Sequence, residues 1–441
     1  MTDHGHSHGE HPHSGHSYRE AVEAVLSVRE DLTAPVDAGG DAEVERASDR
    51  VSLDRLAGRV LAESVVAESD VPPESRATMD GVAVDAGDGS PLSLAGERVT
   101  PGDDPPVHEP GTARRVATGA PLPAGADAVV PREDVIVEDG TVDVGPADSG
   151  AHVVARGSVV EAGETVLEAG RRLAPRDAAT LRDLGCDDVP VRPRLSTAVL
   201  ATGTEIHEGR EPDRDSEFLA NLVRSWSGAP TLAGSVPDDP GRVEERIATL
   251  AADHDVVVTT GGTGVGRTDE TRGVLGDRAE TRVRDPSIRP GSSTTVAWLP
   301  DTETVVVSLP GPPGAAFAGA TLLCRPLFVG RSRLPTLAGE LSCDLPVPDR
   351  ELTFVVPVEF GEDGAGDPTD DGASGPADDG PVSVVPFGHP TSTVRLYGER
   401  FRPHRVATCA RLSTADGFVL TGSDLQAGER VAVVPYTAVE S

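Results

Sequence analysis

Four glycines, Gly261, Gly262, Gly264 and Gly266, fall within six positions directly after the apolar, β-branched run 255–259. Such a run reads as a buried strand. A strand that empties into a glycine-rich turn before a helix can hold a phosphate. Glycine lets backbone N–H groups approach the anion, and the helix N-terminus adds favourable partial charge. The same pattern also makes a plain tight turn. Asp269 and Glu270 follow and could hold a divalent cation against such a phosphate. No GK[ST] follows, so this is not a Walker loop, and GxGxxG is not matched cleanly.

The elements that must position this loop begin at Leu195. A strand, LSTAVLATG, leads to 202–205 (TGTE); a helix over about 217–226, a strand and a helix over 243–253 come next. The glycine-rich strand and loop then give way to VAWL, TVVVSLPGPPG and a helix over 314–328. Strands alternating with helices predict an α/β domain with a parallel sheet covered on both faces. Ligands of such sheets bind beyond the carboxyl ends of the strands. Three loops are expected there together: 202–205, 260–269 and 308–314.

The remaining segments read differently. Residues 1–17 carry six histidines among Gly, Ser and Pro, a disordered tail with incidental affinity for transition metals but no fixed geometry. Helices are expected over 18–32, where Ala21, Val22, Ala24, Val25 and Val28 recur at helical spacing, and over 53–62. Pro72 and Pro73 forbid helix. The stretch 76–83, RATMDGVA, enters a strand through Asp80-Gly81, the composition of a hairpin turn. Short alternating runs over 90–150 suggest a small β-domain, and a helix is expected over 175–184, closed by Gly185. Short β-runs return beyond 335, interrupted by an acidic Gly/Asp/Pro/Ser insert, 361–380, whose composition is that of a solvated, flexible loop.

Composition narrows the classes. The chain has 441 residues, room for about three domains at ~150 residues each. All 39 of its basic residues are arginine, and 73 carboxylates bring the net charge to −34. So acidic a surface repels nucleic acid and anionic membranes, and it resembles that of salt-adapted proteins. Cys186, Cys324, Cys343 and Cys409 fit no metal or redox spacing and read as small residues in a reducing cytoplasm. No run approaches ~18 apolar residues, and the N-terminus lacks a signal-peptide core, so the expectation is a soluble cytoplasmic protein.

Five separated stretches together resemble one family. They are ATMDGVA (77–83), ATGAPLPAGADAVV (117–130), TGTEI (202–206), TTGGTGVGRTD (259–269) and LPGPP (309–313). In this order they are similar to the molybdopterin molybdotransferases, the MoeA and gephyrin E-domain enzymes of molybdenum cofactor biosynthesis. The resemblance runs from about residue 18 to the C-terminus. It implies a split N-terminal domain (18–76 and 151–193), an inserted β-domain (77–150), a molybdopterin-binding parallel α/β domain (194–334) and a C-terminal β-barrel (335–441). It further implies a homodimer, fed by a molybdopterin adenylyltransferase upstream. The implied reaction inserts molybdate, or tungstate, into adenylylated molybdopterin with release of AMP and with Mg²⁺ present.

Carried over onto this chain, Gly261, Gly262, Thr263 and Gly266 would cradle the pterin's phosphate. Asp269 and Glu205 would sit by the cation, and Asp80 would act as a catalytic carboxylate reaching in from the other subunit. Thr202, Ser216, Asn221, Pro310 and Gly311 fall in nucleotide- and pterin-contacting stretches, and Arg289 would contact molybdate. The chain also departs from the family. KPGKP is replaced by Arg289-Pro290-Gly291-Ser292-Ser293, PGNPVS by the stretch 310–315, and an acidic position by Val159. A serine-rich C-terminal loop is replaced by His404-Arg405-Val406-Ala407. These changes fall mainly on the molybdate side, which leaves a second reading open: a degenerate molybdopterin-binding paralogue acting as carrier, scaffold or regulator.

Overall fold

The computed structural model describes residues 15–33, 48–104, 106–261, 278–348, 351–361, 381–409 and 411–440. The chain forms two compact units, one of residues 47–192 and one of residues 1–46 with 193–441.

In the first unit, three short antiparallel pairs tie residues 49–77 to 153–191. Asp49–Ser52 pairs with Asp188–Val191, Val65–Val66 with Thr165–Leu167, and Arg76–Ala77 with Val153–Val154. The intervening chain forms a six-stranded sheet in the order Ala128–Pro131, Gly81–Val84, Thr112–Val116, Leu92–Leu94, Thr141–Val144, Val135–Glu138. Its core is Val82, Val84, Leu92, Ala113, Val130 and Val142. The helix expected over 53–62 is only a 3-10 turn, Leu53–Arg55. Gly58 at φ +77 ends any helical path, and Val60 and Leu61 instead bridge to Arg172 and Val191. The helix expected over 175–184 spans Asp177–Asp183, with Gly185 left-handed behind it.

The second unit holds the α/β layer. Its sheet runs Ala229–Val236, Ser196–Thr202, Val256–Gly261, Thr304–Leu309, Thr295–Leu299, Glu280–Val283. The first four strands are parallel; Ser196–Thr202, Val256–Gly261 and Thr304–Leu309 are buried on both faces, whereas the edge strand Ala229–Val236 is largely exposed. The sheet is mixed, however: Thr295–Leu299, Thr304–Leu309 and Glu280–Val283 are joined antiparallel. Only 300–303 separates the first two, too little chain for a parallel crossover. The helical stretch behind them, 313–329, contains a π-helical turn at Ala320–Cys324. Pro326 has no N–H for the carbonyl one turn earlier, so the ladder must shift register there.

Tyr18–Thr33 is helical as expected, but it belongs to this unit and not to the split domain. Its buried face, Ala21, Val22, Val25, Val28 and Leu32, joins one apolar cluster with Val283, Val305, Leu323 and Leu327. The order also starts before Tyr18, which corrects the reading of 1–17 as a tail for its last residues. Ser17 and Glu20 form a reciprocal cap, and the His16 carbonyl accepts the Ser287 N–H at 2.8 Å. The other histidines of that stretch lie outside the described residues. The C-terminal strands close into a barrel. Thr353–Phe360, Val382–Pro386, Leu337–Leu341, Arg430–Pro435 and Gly417–Thr421 pair in that order, and the last returns to the first.

Trp226 ties the α/β layer to the chain end. It is 1 % exposed, its ring centroid lies 6.0 Å from that of Phe328, and its indole N–H donates to the Val439 carbonyl at 2.6 Å. Trp226→Ala is expected to cost ~3–5 kcal/mol, as for other buried aromatics. Trp226→Phe is expected to cost less but to strand that carbonyl. Denaturant midpoints followed by circular dichroism at constant salt check both.

Candidate active site at the carboxyl edge of the sheet

Thr202, Gly261 and Leu309 end three neighbouring parallel strands, and strand register sets Thr202 beside Gly261 and Thr260 beside Leu309. The edge is close-fitting. Gly261 has φ +88, and a Cβ there would lie 2.3 Å from the Thr202 carbonyl oxygen; one on Gly311 would lie 3.5 Å from the Gly261 Cα. No other residue type fits at 261, which explains the first glycine of the loop. The Thr202 hydroxyl donates to the Thr260 carbonyl at 3.2 Å. Thr202, Gly261, Pro310 and Gly311 are thus brought together. Gly262, Thr263, Gly266 and Asp269 lie outside the described residues.

Two carboxylates join this edge. The short helix Thr204–His207 carries Glu205, whose Oε1 would be 3.0 Å from a Cβ on Gly203, so it folds back over that glycine. Among the described residues the Glu205 carboxylate has no hydrogen-bond partner, and it remains available to a ligand. Asp238, which the sequence reading passed over, fixes that helix: it accepts the Thr204 N–H at 3.1 Å, while its own N–H donates to the Thr204 hydroxyl at 3.1 Å.

Asp215 was missed as well. It is 8 % exposed, and its Oδ2 accepts the Thr260 hydroxyl at 2.9 Å; its Oδ1 and the neighbouring Ser216 hydroxyl are buried without partners among the described residues. Burial pushes this carboxyl above its usual range, with Asp213 adding to the shift and the Thr260 hydroxyl opposing it. Ser216 opens the helix Ser216–Ser225, so this contact seats the helix N-terminus against the strand end. Asn221 is not brought to the edge: it is exposed further along the helix, and its amide oxygen accepts from Arg224 at 2.6 Å.

Arg289 reaches the site by another route. Ile288–Arg289 pairs in parallel with Thr353–Phe354 of the barrel. A cleft of about 390 Å³ opens beside it, lined by Arg289, Ser292, Ser293, Pro310, Pro312 and His404 among others. One guanidinium, two hydroxyls and an imidazole around a cleft suit an oxyanion. His404 is donated by the barrel, and only the fold reveals that it faces the same cleft as Arg289.

In the other unit Asp80 is a built turn carboxylate. Its Oδ1 accepts the Thr118 N–H at 2.8 Å and the Thr118 hydroxyl at 3.0 Å, and its Oδ2 meets Arg98 at 2.7 Å. Thr118 first, then Arg98, hold this exposed carboxyl below the usual range. Behind it Gly81 passes so close to the neighbouring strand that a Cβ would lie 2.1 Å from the Val130 oxygen. The DG pair therefore starts a central strand of the sheet and is no hairpin turn. Among the described residues no cluster of three or more His, Cys, Asp or Glu is set for a metal.

A mixed α/β sheet with Gly261 and Gly311 at its carboxyl edge, a separate unit with its own six-stranded sheet, and a closed barrel define a multidomain α/β and β class of protein. Residues 16–185 match the MoeA N-terminal region (domain I and II), and residues 198–329 match a probable molybdopterin binding domain. A molybdopterin molybdenumtransferase of Nostoc sp. is 30% identical over 313 residues, spanning 67% of this chain and 70% of that one. Molybdopterin molybdenumtransferase 2 of Mycobacterium tuberculosis is 31% identical over 302 residues, 63% of this chain and 73% of that one. The solved MoeA protein from Pyrococcus horikosii superposes with TM-score 0.70 at 27% identity, over 95% of this chain and 98% of that one. The chain belongs to the MoeA family.

Asp215 gives a signed prediction. Its native pKa is raised, so the ionised form is disfavoured by folding, and stability is gained as pH falls through the raised value. Asp215→Asn keeps an oxygen for Thr260 and removes the buried charge. At pH 7 its melting temperature is expected to equal or exceed that of the wild type, within ~1 kcal/mol. The advantage should vanish in acid. A loss of stability at pH 7 that persists in acid would refute this account.

Proposed function

We infer that the chain is a molybdopterin molybdotransferase of molybdenum cofactor biosynthesis, acting on adenylylated molybdopterin, and we propose the following roles. The observation that carries them is the adjacency of a glycine-built strand edge to an oxyanion cleft. Gly261, with Gly262, Thr263 and Gly266, would cradle the pterin's phosphate by backbone N–H groups, and Thr202, Pro310 and Gly311 would shape its floor. Ser216, whose hydroxyl has no partner among the described residues, would sit beside them. Arg289 would hold the attacking molybdate, or tungstate, in the cleft, with Ser292, Ser293 and His404 as further donors. That arrangement keeps the nucleophile beside the phosphate edge, which is the main service the protein can give a displacement at phosphorus.

Glu205, with Asp269, would hold Mg²⁺; the Glu205 carboxylate, without a hydrogen-bond partner among the described residues, lies beside Gly203 and suits a hard cation. When bound, the cation absorbs charge that develops as the pyrophosphate link breaks and AMP leaves. Homodimerisation, supply of substrate by a molybdopterin adenylyltransferase, and a catalytic role for Asp80 belong to the same proposal.

The test is to incubate the full chain, in molar salt, with adenylylated molybdopterin, Mg²⁺ and rising molybdate, and to follow AMP. Molybdate-dependent AMP release is expected, abolished in Asp269→Ala. Arg289→Ala should raise the molybdate needed ~10- to 100-fold, the range of a lost charge-assisted hydrogen bond. Tight substrate binding with no AMP at any molybdate or tungstate concentration would overturn the transferase reading in favour of a carrier.

A further inference from the structure

One cluster of reactive side chains stands apart from the anion cleft. Leu337–Leu341 and Val382–Pro386 are parallel neighbours in the barrel, with Leu341 opposite Val384. Cys343 follows the first strand and His389 the second, so both emerge at the same end. The Cys343 Sγ lies 3.4 Å from the His389 Nδ1. Thr391 adds its hydroxyl 2.8 Å from the same nitrogen and 3.8 Å from the sulfur. The Thr391 backbone N–H points at Nδ1 as well, at 3.3 Å. A backbone donor fixes Nδ1 as the acceptor and leaves the ring proton on Nε2. The thiol meets that same acceptor nitrogen, which is shared with the Thr391 N–H and can take the thiol proton.

The surroundings hold this arrangement in place. His389 is 6 % exposed, with its ring set edge-on to Tyr397. Burial pushes the imidazole below its ordinary range, with Glu399 opposing. Cys343 is only partly buried. The other thiols lack this setting. Cys324 is sealed in the core and pushed up to about 12. Burial, and next Glu68, raise Cys186. Cys409 is partly buried like Cys343, but among the described residues no base meets its sulfur.

We propose that Cys343 is a nucleophilic thiol and a modification site for hydroperoxides, with His389 as its base and Thr391 as the hydroxyl that orients the pair. In the step, the S–H proton passes to Nδ1 and the sulfur attacks one peroxide oxygen. The S–O bond forms as the O–O bond breaks, and the leaving oxygen takes the proton back from the imidazole. The balance is Cys–SH + ROOH → Cys–SOH + ROH, the first rung of thiol oxidation.

The full chain is treated with limiting iodoacetamide, and separately with hydrogen peroxide and a dimedone trap, and each cysteine is read by peptide mass spectrometry. Cys343 is expected to react at least ~10-fold faster than Cys409, within the range that a positioned base provides, and to carry the dimedone adduct. His389→Gln should bring its rate to that of Cys409, and the exposed Thr391→Val should slow it while leaving the fold intact. Equal rates for Cys343 and Cys409 in the wild type would overturn the proposal, as would an unchanged rate in a folded His389→Gln. The wild-type comparison decides the matter even where the buried-histidine variant fails to fold.

Discussion

The carboxyl edge of the sheet depends on one close approach, that of Gly261 to the Thr202 carbonyl. With no Cβ at 261, two strands end side by side at hydrogen-bonding distance while the chain turns into a left-handed conformation. Everything nearby is referred to that contact. Thr260, one residue earlier, reaches Asp215 and so seats the helix Ser216–Ser225. Gly311 lies against Gly261 from the next strand. A side chain at 261 would part the strands and move the helix N-terminus and the proline loop together. A glycine there is a condition of the site's shape, whatever the loop beyond it binds.

The charge of the chain acts on a different level. At a net charge of −34 the surface repels itself, and in molar salt that repulsion is screened within ~3 Å. The same screening weakens exposed ion pairs such as Arg19–Glu23 and Arg50–Asp188. Cohesion must then come from buried apolar surface, and the valine runs of the central strands supply it. Arg59 is the instructive exception. Its side chain is 9 % exposed, and it joins Asp49 at 2.9 Å to the Arg192 carbonyl at 3.2 Å. Both contacts come from one guanidinium nitrogen, buried on the arginine side although Asp49 is half exposed, and together they join the two ends of this unit.

The fold was legible where local chemistry and tertiary demand agree. Valine runs, a helical stretch over about 217–226 and glycine at strand ends give the α/β layer from pattern alone. The pattern misled where tertiary packing chooses. The helix Tyr18–Thr33 has a clear apolar stripe, yet a stripe does not name its partner, and it packs on Val283 and Leu327 instead of joining the β-unit. Residues 53–62 carry helical spacing that Gly58 interrupts. At the site, glycine and threonine positions could be read, because motifs preserve backbone geometry. Asp215, Asp238 and His404 could not, since each works through a contact with a distant segment that no spacing records.

His404 shows how such distant contacts reshape a site. Arg289 is set by strand pairing to the barrel, and His404 sits on a short helix, Pro403–Ala407, packed against the helix that follows the proline loop. The two side of the cleft therefore come from different domains of one unit. A family lysine lost at position 292 need not be replaced in the same loop: a donor from the barrel can face the same volume. Ser292 and Ser293 offer hydroxyls without charge, and such donors are strongest where water is excluded. An oxyanion held by one guanidinium and hydroxyl donors is bound less by long-range attraction than by fitted hydrogen bonds. Concentrated salt weakens such contact-range hydrogen bonds less than it weakens attraction between exposed charges further apart than a Debye length.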